Sequence, residues 1–227
     1  MGGSPLGAVI FDLDGVISDT ARYHYLAWQK ITTEFGIYFD EQINERLKGV
    51  DRMNSLAIIL ERADKQFSEA EKKLWADQKN EYYKELIETM TPADILPGTR
   101  ELLSALKEKR VKVGLASVSK NALTVIGKLQ IGHFFDYIGD AALIKKGKPD
   151  PEIFLTVAEN LQMAVKECMG VEDAAAGIKA IKAAGMYAVG VGSPQILGEA
   201  DEVISGLKEF TIDKYVAALA RISSVYS

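Results

Sequence analysis

One cysteine, Cys168, is all that the 227 residues contain. A lone cysteine can form no internal disulfide framework, which agrees with a reducing compartment. It lies in an apolar run and reads as a packed strand residue rather than a nucleophile. No stretch approaches the ~20 consecutive apolar residues that a membrane-spanning helix requires. Excess positive charge is missing too: 27 lysines and arginines face 32 aspartates and glutamates, for a formal net charge of −5. The broad basic field that attracts nucleic acid or an anionic membrane is therefore absent, and any anion site must be built locally. The opening Met1-Gly-Gly-Ser-Pro5 has neither a basic segment nor a long apolar one. No secretory signal is read there, no fold meaning is attached to it, and the expected location is the cytoplasm. Internal repeats and low-complexity linkers are also missing, and nothing in the chain calls for more than a monomer.

What is present is an ordinary globular composition, 48% hydrophobic and 26% charged, long enough for one large domain or a core with a smaller companion. Ala8-Val-Ile-Phe11 is a short apolar run of the kind that forms a strand buried on both faces. From about Asp19 to Met90 the pattern turns helical and charged, as in Ser55 to Leu60 and Glu69 to Ile87, and Ser68 with Glu71 makes a capping box ahead of the longer stretch. Beyond Pro97-Gly98 helices alternate with strands. Thr99–Lys109 precedes a strand at Val111–Ala116, and a helix begins near Lys120. Tyr137-Ile138, Cys168–Val171 and Ala188–Val191 read as strands, with helices at Pro151–Asn160 and Ala174–Ala184. Such alternation implies a parallel sheet with crossover helices. The expected architecture is a doubly wound, Rossmann-like α/β core at residues 1–19 and 91–227, with a helical cap of residues 20–90 inserted after the first strand.

Open α/β sheets bind ligands at the carboxyl ends of their strands, and the polar clusters of this chain fall there. Asp12 and Asp14 close the first strand, two residues apart and so on one side of an extended chain. Two such carboxylates can divide the work of nucleophile and proton donor when their surroundings differ. Gly15 permits a sharp turn and close approach of the backbone to a ligand. Ser117 and Ser119 close the second strand. Ser119 is expected to cap the following helix, and the Ser117 hydroxyl can bind phosphoryl oxygens. Lys148 offers a positive charge to balance a transferred phosphoryl group. Glu172 and Asp173 close a fourth strand and supply oxygens suited to magnesium. Taken singly, each has a plain structural explanation, such as a solvated turn, a loop lysine or a favourable helix N-terminus. Four segments converging on one crevice favour function.

This set resembles the haloacid-dehalogenase superfamily, whose phosphotransferases form an aspartyl-phosphate. The motifs are Phe11-Asp-Leu-Asp-Gly-Val16, Leu115-Ala-Ser117, Gly147-Lys-Pro-Asp150 and Gly170-Val-Glu-Asp173, and the likeness spans essentially the whole chain. It implies that Asp12 is the nucleophile and Asp14 the general acid and base. Magnesium would be held by Asp12, the Asp14 backbone carbonyl and Asp173, with Glu172 in or near its coordination sphere. The dehalogenases themselves lack the second aspartate, so Asp14 argues against that chemistry.

The insertion is similar to the helical cap of the β-phosphoglucomutase family. The likeness lies in Phe11 through Ala21, Tyr23-His24, Ala27-Trp28, Leu47-Lys-Gly-Val50 with Arg52 and Ser55, Lys79-Asn80 and Ala116-Ser-Val-Ser-Lys-Asn121. It implies that His24 couples cap closure to the placement of Asp14, and that Arg52 grips the phosphate not being transferred. Ser117, Ser119, Lys120 and Asn121 would contact phosphate and sugar, while Trp28, Lys48, Gly49, Val50, Ser55 and Lys79 line the sugar side. Asp51 and Ala174 stand where that family often has serine. The implied reaction interconverts β-D-glucose 1-phosphate and glucose 6-phosphate through glucose 1,6-bisphosphate. A sugar-phosphate phosphatase with the same core is the alternative.

Overall fold

The computed structural model describes residues 5–63 and 65–225, so Met1 to Ser4 of the opening segment lie outside the described residues. Among these residues six strands form one parallel sheet: β1 (Ala8–Phe11), β2 (Lys112–Leu115), β3 (Tyr137–Ile138), β4 (Cys168–Glu172), β5 (Tyr187–Val191) and β6 (Glu202–Ile204), in the order β3-β2-β1-β4-β5-β6. β1 is central, with Val9 facing Val113 on one neighbour and Met169 on the other. Its four residues are all buried, because helices cover both faces of the sheet and leave no room for a polar alternation.

The side-chain period of two splits β1 between two apolar layers. Val9 and Phe11 join Leu103, Leu106, Val125 and Tyr215 on one face. Ala8 and Ile10 join Phe154, Val157, Ile178 and Ile181 on the other. The first layer takes residues from α5 (Thr99–Glu108), α6 (Ala122–Lys128) and α9 (Ile212–Val225), and the second from α7 (Glu152–Asn160) and α8 (Ala175–Ala183). The expected elements are in place, with ends shifted by a residue or two. β6 and α9 were not read from the sequence.

Between β1 and α5 lie α1 (Ala21–Glu34), α2 (Glu41–Glu45), α3 (Arg52–Ile59) and α4 (Glu69–Glu88). They share an apolar cluster of their own around Trp28, Ile31, Leu56, Ile59 and Trp75. α4 starts on the expected capping box: the Glu71 N–H donates to Ser68 Oγ at 3.3 Å and the Ser68 N–H to Glu71 Oε2 at 2.8 Å. Asp51 caps α3 by accepting from the Met53 and Asn54 N–H groups at 3.0 and 3.1 Å. One expectation needs correcting. Ser119 does not cap α6; Asn121 occupies the N-cap, and Ser119 Oγ accepts the Asn121 N–H at 3.3 Å in the turn before it.

The strand order reverses between β1 and β4, so the chain leaves these neighbours in opposite directions and a crevice opens beyond their carboxyl ends. Asp12 and Glu172 stand on its two sides.

Candidate active site

Asp12 is fixed where β1 ends. Its N–H donates to the Val171 carbonyl at 2.9 Å, and its Oδ2 accepts the Asp14 N–H at 3.1 Å. Lys148 Nζ donates to Asp12 Oδ1 at 2.6 Å and to Glu172 Oε2 at 2.7 Å, and all three side chains are buried. Asp173 stands over the turn at Gly15, where φ is +77° and a Cβ would lie 2.2 Å from Asp173 Oδ2. Only glycine fits both the backbone and the space. Carboxylate oxygens of Asp12, Glu172 and Asp173 come within 4.8 Å of one another.

Burial of so many like charges shifts their titration. Asp14 is raised to about 6, by burial first and then by Asp12, against the opposing effect of the Thr20 hydroxyl bond. Burial and then Asp12 push Glu172 up to about 7, although Lys148 pulls the other way. Asp173 is driven well above the usual carboxylate range by burial, Glu172 and Asp12. Burial alone would lower Lys148, but Asp12 and Glu172 outweigh it and hold the ammonium charged. One lysine cannot offset four carboxyl groups. Convergent hard oxygens with surplus negative charge are the donor chemistry that a magnesium-like divalent cation requires, so these residues fit such an ion.

Above this centre is a cavity of about 800 Å³, reached by Asp14 and Asp173 from below. Asp12, Ser117, Lys148 and Glu172 are buried outside its lining. Ser117 follows β2, and its hydroxyl accepts the Ser119 N–H at 3.1 Å. Ser119, Lys120 and Asn121 extend that loop along the cavity wall. The opposite wall comes from α1, the segment entering α3, and α4: His24, Trp28, Lys48, Gly49, Val50, Arg52, Ser55 and Lys79 all line it. Of the residues expected to contact substrate, all but the buried Ser117 therefore face one space. The loop around Gly49 lies against the core, since a Cβ there would stand 3.2 Å from Ala174 Cβ.

Lys79, a residue that on a charged helix would ordinarily be solvated, is buried in this wall. Its Nζ lies 2.7 Å from His24 Nδ1 and 5.1 Å from the centre of the Trp28 ring. Burial, and then the charge of Arg52, lower it to about 7, while Asp14 acts in the other direction. His24 is held well below its ordinary 6.5 by burial and then by Lys79 and Arg52. A neutral imidazole that accepts at Nδ1 carries its proton on Nε2, and that nitrogen is 3.8 Å from Asp14 Oδ1. Arg52 lies 3.7 Å from Asp77 Oδ1, Lys48 pairs with Glu45 at 2.8 Å, and Ser55 Oγ donates to the Val50 carbonyl at 3.3 Å.

Thr20, Asn80 and Tyr83, to which the sequence assigned no role, also belong here. Buried Thr20 donates its hydroxyl to Asp14 Oδ1 in a very short contact. Asn121 Nδ2 donates to Asn80 Oδ1 at 2.9 Å, joining the two walls. Tyr83 stacks on His24. Thr20 could have been suspected only from the turn at Gly15 that brings it back to Asp14. Tyr83 is four residues after Lys79 and so shares its helix face.

The family model of haloacid dehalogenase-like hydrolases matches residues 6–185. The chain belongs to that family. Within it, the chain is 48% identical over 208 residues to the β-phosphoglucomutase of Bacillus subtilis, an overlap of 91% of this chain and 92% of that one. It is 34% identical over 182 residues to a phosphorylated carbohydrates phosphatase of Thermotoga maritima, covering 79% and 82% of the two chains. The crystal structure of β-phosphoglucomutase from Clostridium difficile superposes with a TM-score of 0.91 at 46% identity, over 97% of this chain and 99% of that one. That match confirms the Rossmann-like core with its helical insertion.

Proposed function

We propose that this haloacid dehalogenase-like enzyme interconverts β-D-glucose 1-phosphate and glucose 6-phosphate by way of an aspartyl-phosphate and glucose 1,6-bisphosphate. The supporting observation is a second group of cations in the same cavity. A phosphatase acting on one phosphate needs only the Lys148 centre, whereas a bisphosphate intermediate needs a separate anion site. Arg52 from the helical wall and Lys120 from the core wall supply it, with Lys48 and Lys79 beside them on the sugar side.

In the forward half-reaction, phosphorylated Asp12 presents its phosphorus to the C6 oxygen of β-glucose 1-phosphate. As that oxygen forms its bond to phosphorus, the bond from phosphorus to Asp12 breaks, and Asp14 takes the hydroxyl proton. The bisphosphate then presents its C1 phosphate to Asp12. The Asp12 carboxylate attacks, the bond to the C1 oxygen breaks, and Asp14 returns its proton to that oxygen. Glucose 6-phosphate leaves and the phosphoenzyme is restored. A group that must both accept and donate is best served by a pKa close to the working pH, and Asp14, at about 6, is far nearer than an ordinary aspartate. Lys148 keeps its charge beside Asp12 and offsets that of the moving phosphoryl group. Magnesium, held by Asp12, Asp173 and the Asp14 backbone carbonyl with Glu172 beside them, would add Lewis-acid stabilisation of that group. The His24 Nε2–H, 3.8 Å from Asp14 Oδ1 and without a hydrogen bond among the described residues, would reach Asp14 on a small closing movement and orient it. Ser117 binds transferring oxygens, and Arg52 holds the resting phosphate.

We assign residues 20–90 to a cap and residues 1–19 and 91–227 to the core. The cap's own apolar cluster and the Asn80–Asn121 bond support a lid that excludes water from the aspartyl-phosphate. Among the described residues no helix is long and apolar enough to cross a membrane. With the lone cysteine and the acidic charge balance, this fits a monomer acting on a small phosphosugar in the cytoplasm.

The test supplies β-glucose 1-phosphate, magnesium and a trace of glucose 1,6-bisphosphate, and follows glucose 6-phosphate and free phosphate together. Glucose 6-phosphate is expected to form far faster than free phosphate. Dominant phosphate release would instead establish the phosphatase activity that the Thermotoga maritima relative is named for.

A further inference from the structure

Gly147 precedes Lys148, and its backbone lies outside the left-handed region, so no turn obliges glycine there. Space does. The three atoms nearest to a Cβ built on Gly147 all belong to Asp51: Oδ2 at 3.0 Å, and Cβ and Cγ at 3.9 Å. Both sides of this contact are tied down. Asp51 is held at the start of α3, its Oδ1 accepting the Met53 and Asn54 N–H groups and its Oδ2 accepting Asn54 Nδ2. The loop at Gly147 is held by Glu152, whose two carboxylate oxygens accept the Lys145 and Lys146 N–H groups at 2.9 and 2.8 Å. The Asp150 N–H also donates to the Gly147 carbonyl at 3.1 Å. Two residues before Asp51, a Cβ at Gly49 would stand 3.8 Å from Lys148 Cδ. The segment entering α3 is thus seated on the loop that carries Lys148.

We propose that Asp51 is a positioning residue, and that its seat in the notch at Gly147 sets the distance between the two phosphate sites. Asp51 is followed by Arg52, and Gly147 by Lys148. Contact between the first members of these pairs fixes the second members: the cation of the resting phosphate against the cation of the transferring one. This rests on the reading of the reaction as passage through a bisphosphate, whose two phosphates must meet both cations at once. An aspartate is longer than the serine often found at its position in the β-phosphoglucomutase family, and the missing side chain at Gly147 makes room for it. A side chain there would hold the start of α3 off the core by a few tenths of an ångström. Reacting groups so misplaced lose rate steeply, and the same gap admits water to the phosphoenzyme.

The seat is tested without catalysis by Asp51→Cys/Gly147→Cys. The Cβ separation of 3.9 Å falls within the disulfide range of about 3.5–4.5 Å, and the only native cysteine is Cys168. Diamide oxidation is expected to yield, in a tryptic digest of the monomer, a peptide linking positions 51 and 147 that reduction splits. In the mutase assay Gly147→Ala should lose about tenfold in kcat/KM and release more free phosphate per glucose 6-phosphate formed. Phosphoenzyme formation from acetyl phosphate should stay within about threefold of wild type. Adding Asp51→Ser keeps a capping side chain but removes the clash, and should return kcat/KM to within about threefold of wild type. Absence of the linked peptide would overturn the seat. Full mutase activity in Gly147→Ala, or no recovery in Asp51→Ser/Gly147→Ala, would overturn the positioning role. Should Gly147→Ala not fold, the linked peptide still decides whether the two segments meet. A wild type that makes no glucose 6-phosphate would remove the proposed reaction but leave the test of the seat unaffected.

Discussion

The two walls of the cavity are built on opposite electrostatic plans. At the strand ends of the core, burial concentrates carboxyl groups and pushes Asp14 and Glu172 up to about 6 and 7. In the helical wall burial concentrates cations and lowers Lys79 to about 7. The core side carries carboxyl groups that Lys148 alone does not neutralise. The cap side buries Lys79 with no carboxylate at ion-pair distance among the described residues, while Lys48 and Arg52 face Glu45 and Asp77. Unpaired charge is unfavourable in a low-dielectric interior. The imbalance suits a cation on the core side and a phosphate on the cap side. A phosphosugar with its metal ion completes both at once. The cost in stability is tolerated because the ligands cancel it.

The difference can be tested most severely at Asp12. Asp12→Asn removes the nucleophile while keeping the shape, and turnover is expected to fall by more than about 10⁴-fold. No phosphoenzyme should form from acetyl phosphate; a labelled Asp12→Asn protein would refute the assignment. On the cap side, Arg52→Ala should lower mutase turnover about 100-fold, corresponding to roughly 3 kcal/mol for a lost charged contact. Phosphoenzyme formation from acetyl phosphate should stay within a fewfold of wild type. If both fall together, Arg52 does not serve the resting phosphate alone.

The charge imbalance itself should appear in thermal melts. Asp14 and Glu172 bind protons more tightly in the folded than in the unfolded chain, where their values are 3.8 and 4.5. Their contribution to stability is then full at low pH and lost as pH rises through about 6 and 7. Lys79 works the other way, its penalty fading as pH climbs from about 7 towards 10.5. With chelator present, the melting temperature should fall between pH 5 and 7. Magnesium should restore it strongly at pH 7.5 and little at pH 5. A pH-independent melt in chelator would mean that the carboxylates are already balanced. The smallest effect is expected at the bond joining the walls. Asn121→Ala should cost about 1 kcal/mol and raise the ratio of free phosphate to glucose 6-phosphate a fewfold. An unchanged ratio would separate this bond from the exclusion of water.

Much of the core was legible because its strands are buried on both faces and punctuated by polar residues at their ends. Asp12, Lys148 and Asp173 belong to short motifs whose chemistry survives without coordinates. Ser119 misled because serine near a helix start is a common cap, while the turn here gave that place to Asn121. β6 stayed hidden because three residues beginning with a glutamate carry little pattern. Lys79 was placed on the sugar side by family likeness alone, since nothing in its neighbours along the chain announces burial.

Composition, periodicity and motif spacing alone determined the α/β core, the helical insertion and the acidic centre, because those depend on local propensity and on strand ends. Tertiary structure decided the rest. Only packing of α1 against α4 puts Lys79, Trp28, Tyr83 and His24 in contact, and only the turn at Gly15 returns Thr20 to Asp14. These contacts span up to 59 positions of sequence, from His24 to Tyr83, and a pattern read along the chain carries no information about which distant side chains share a dry interior.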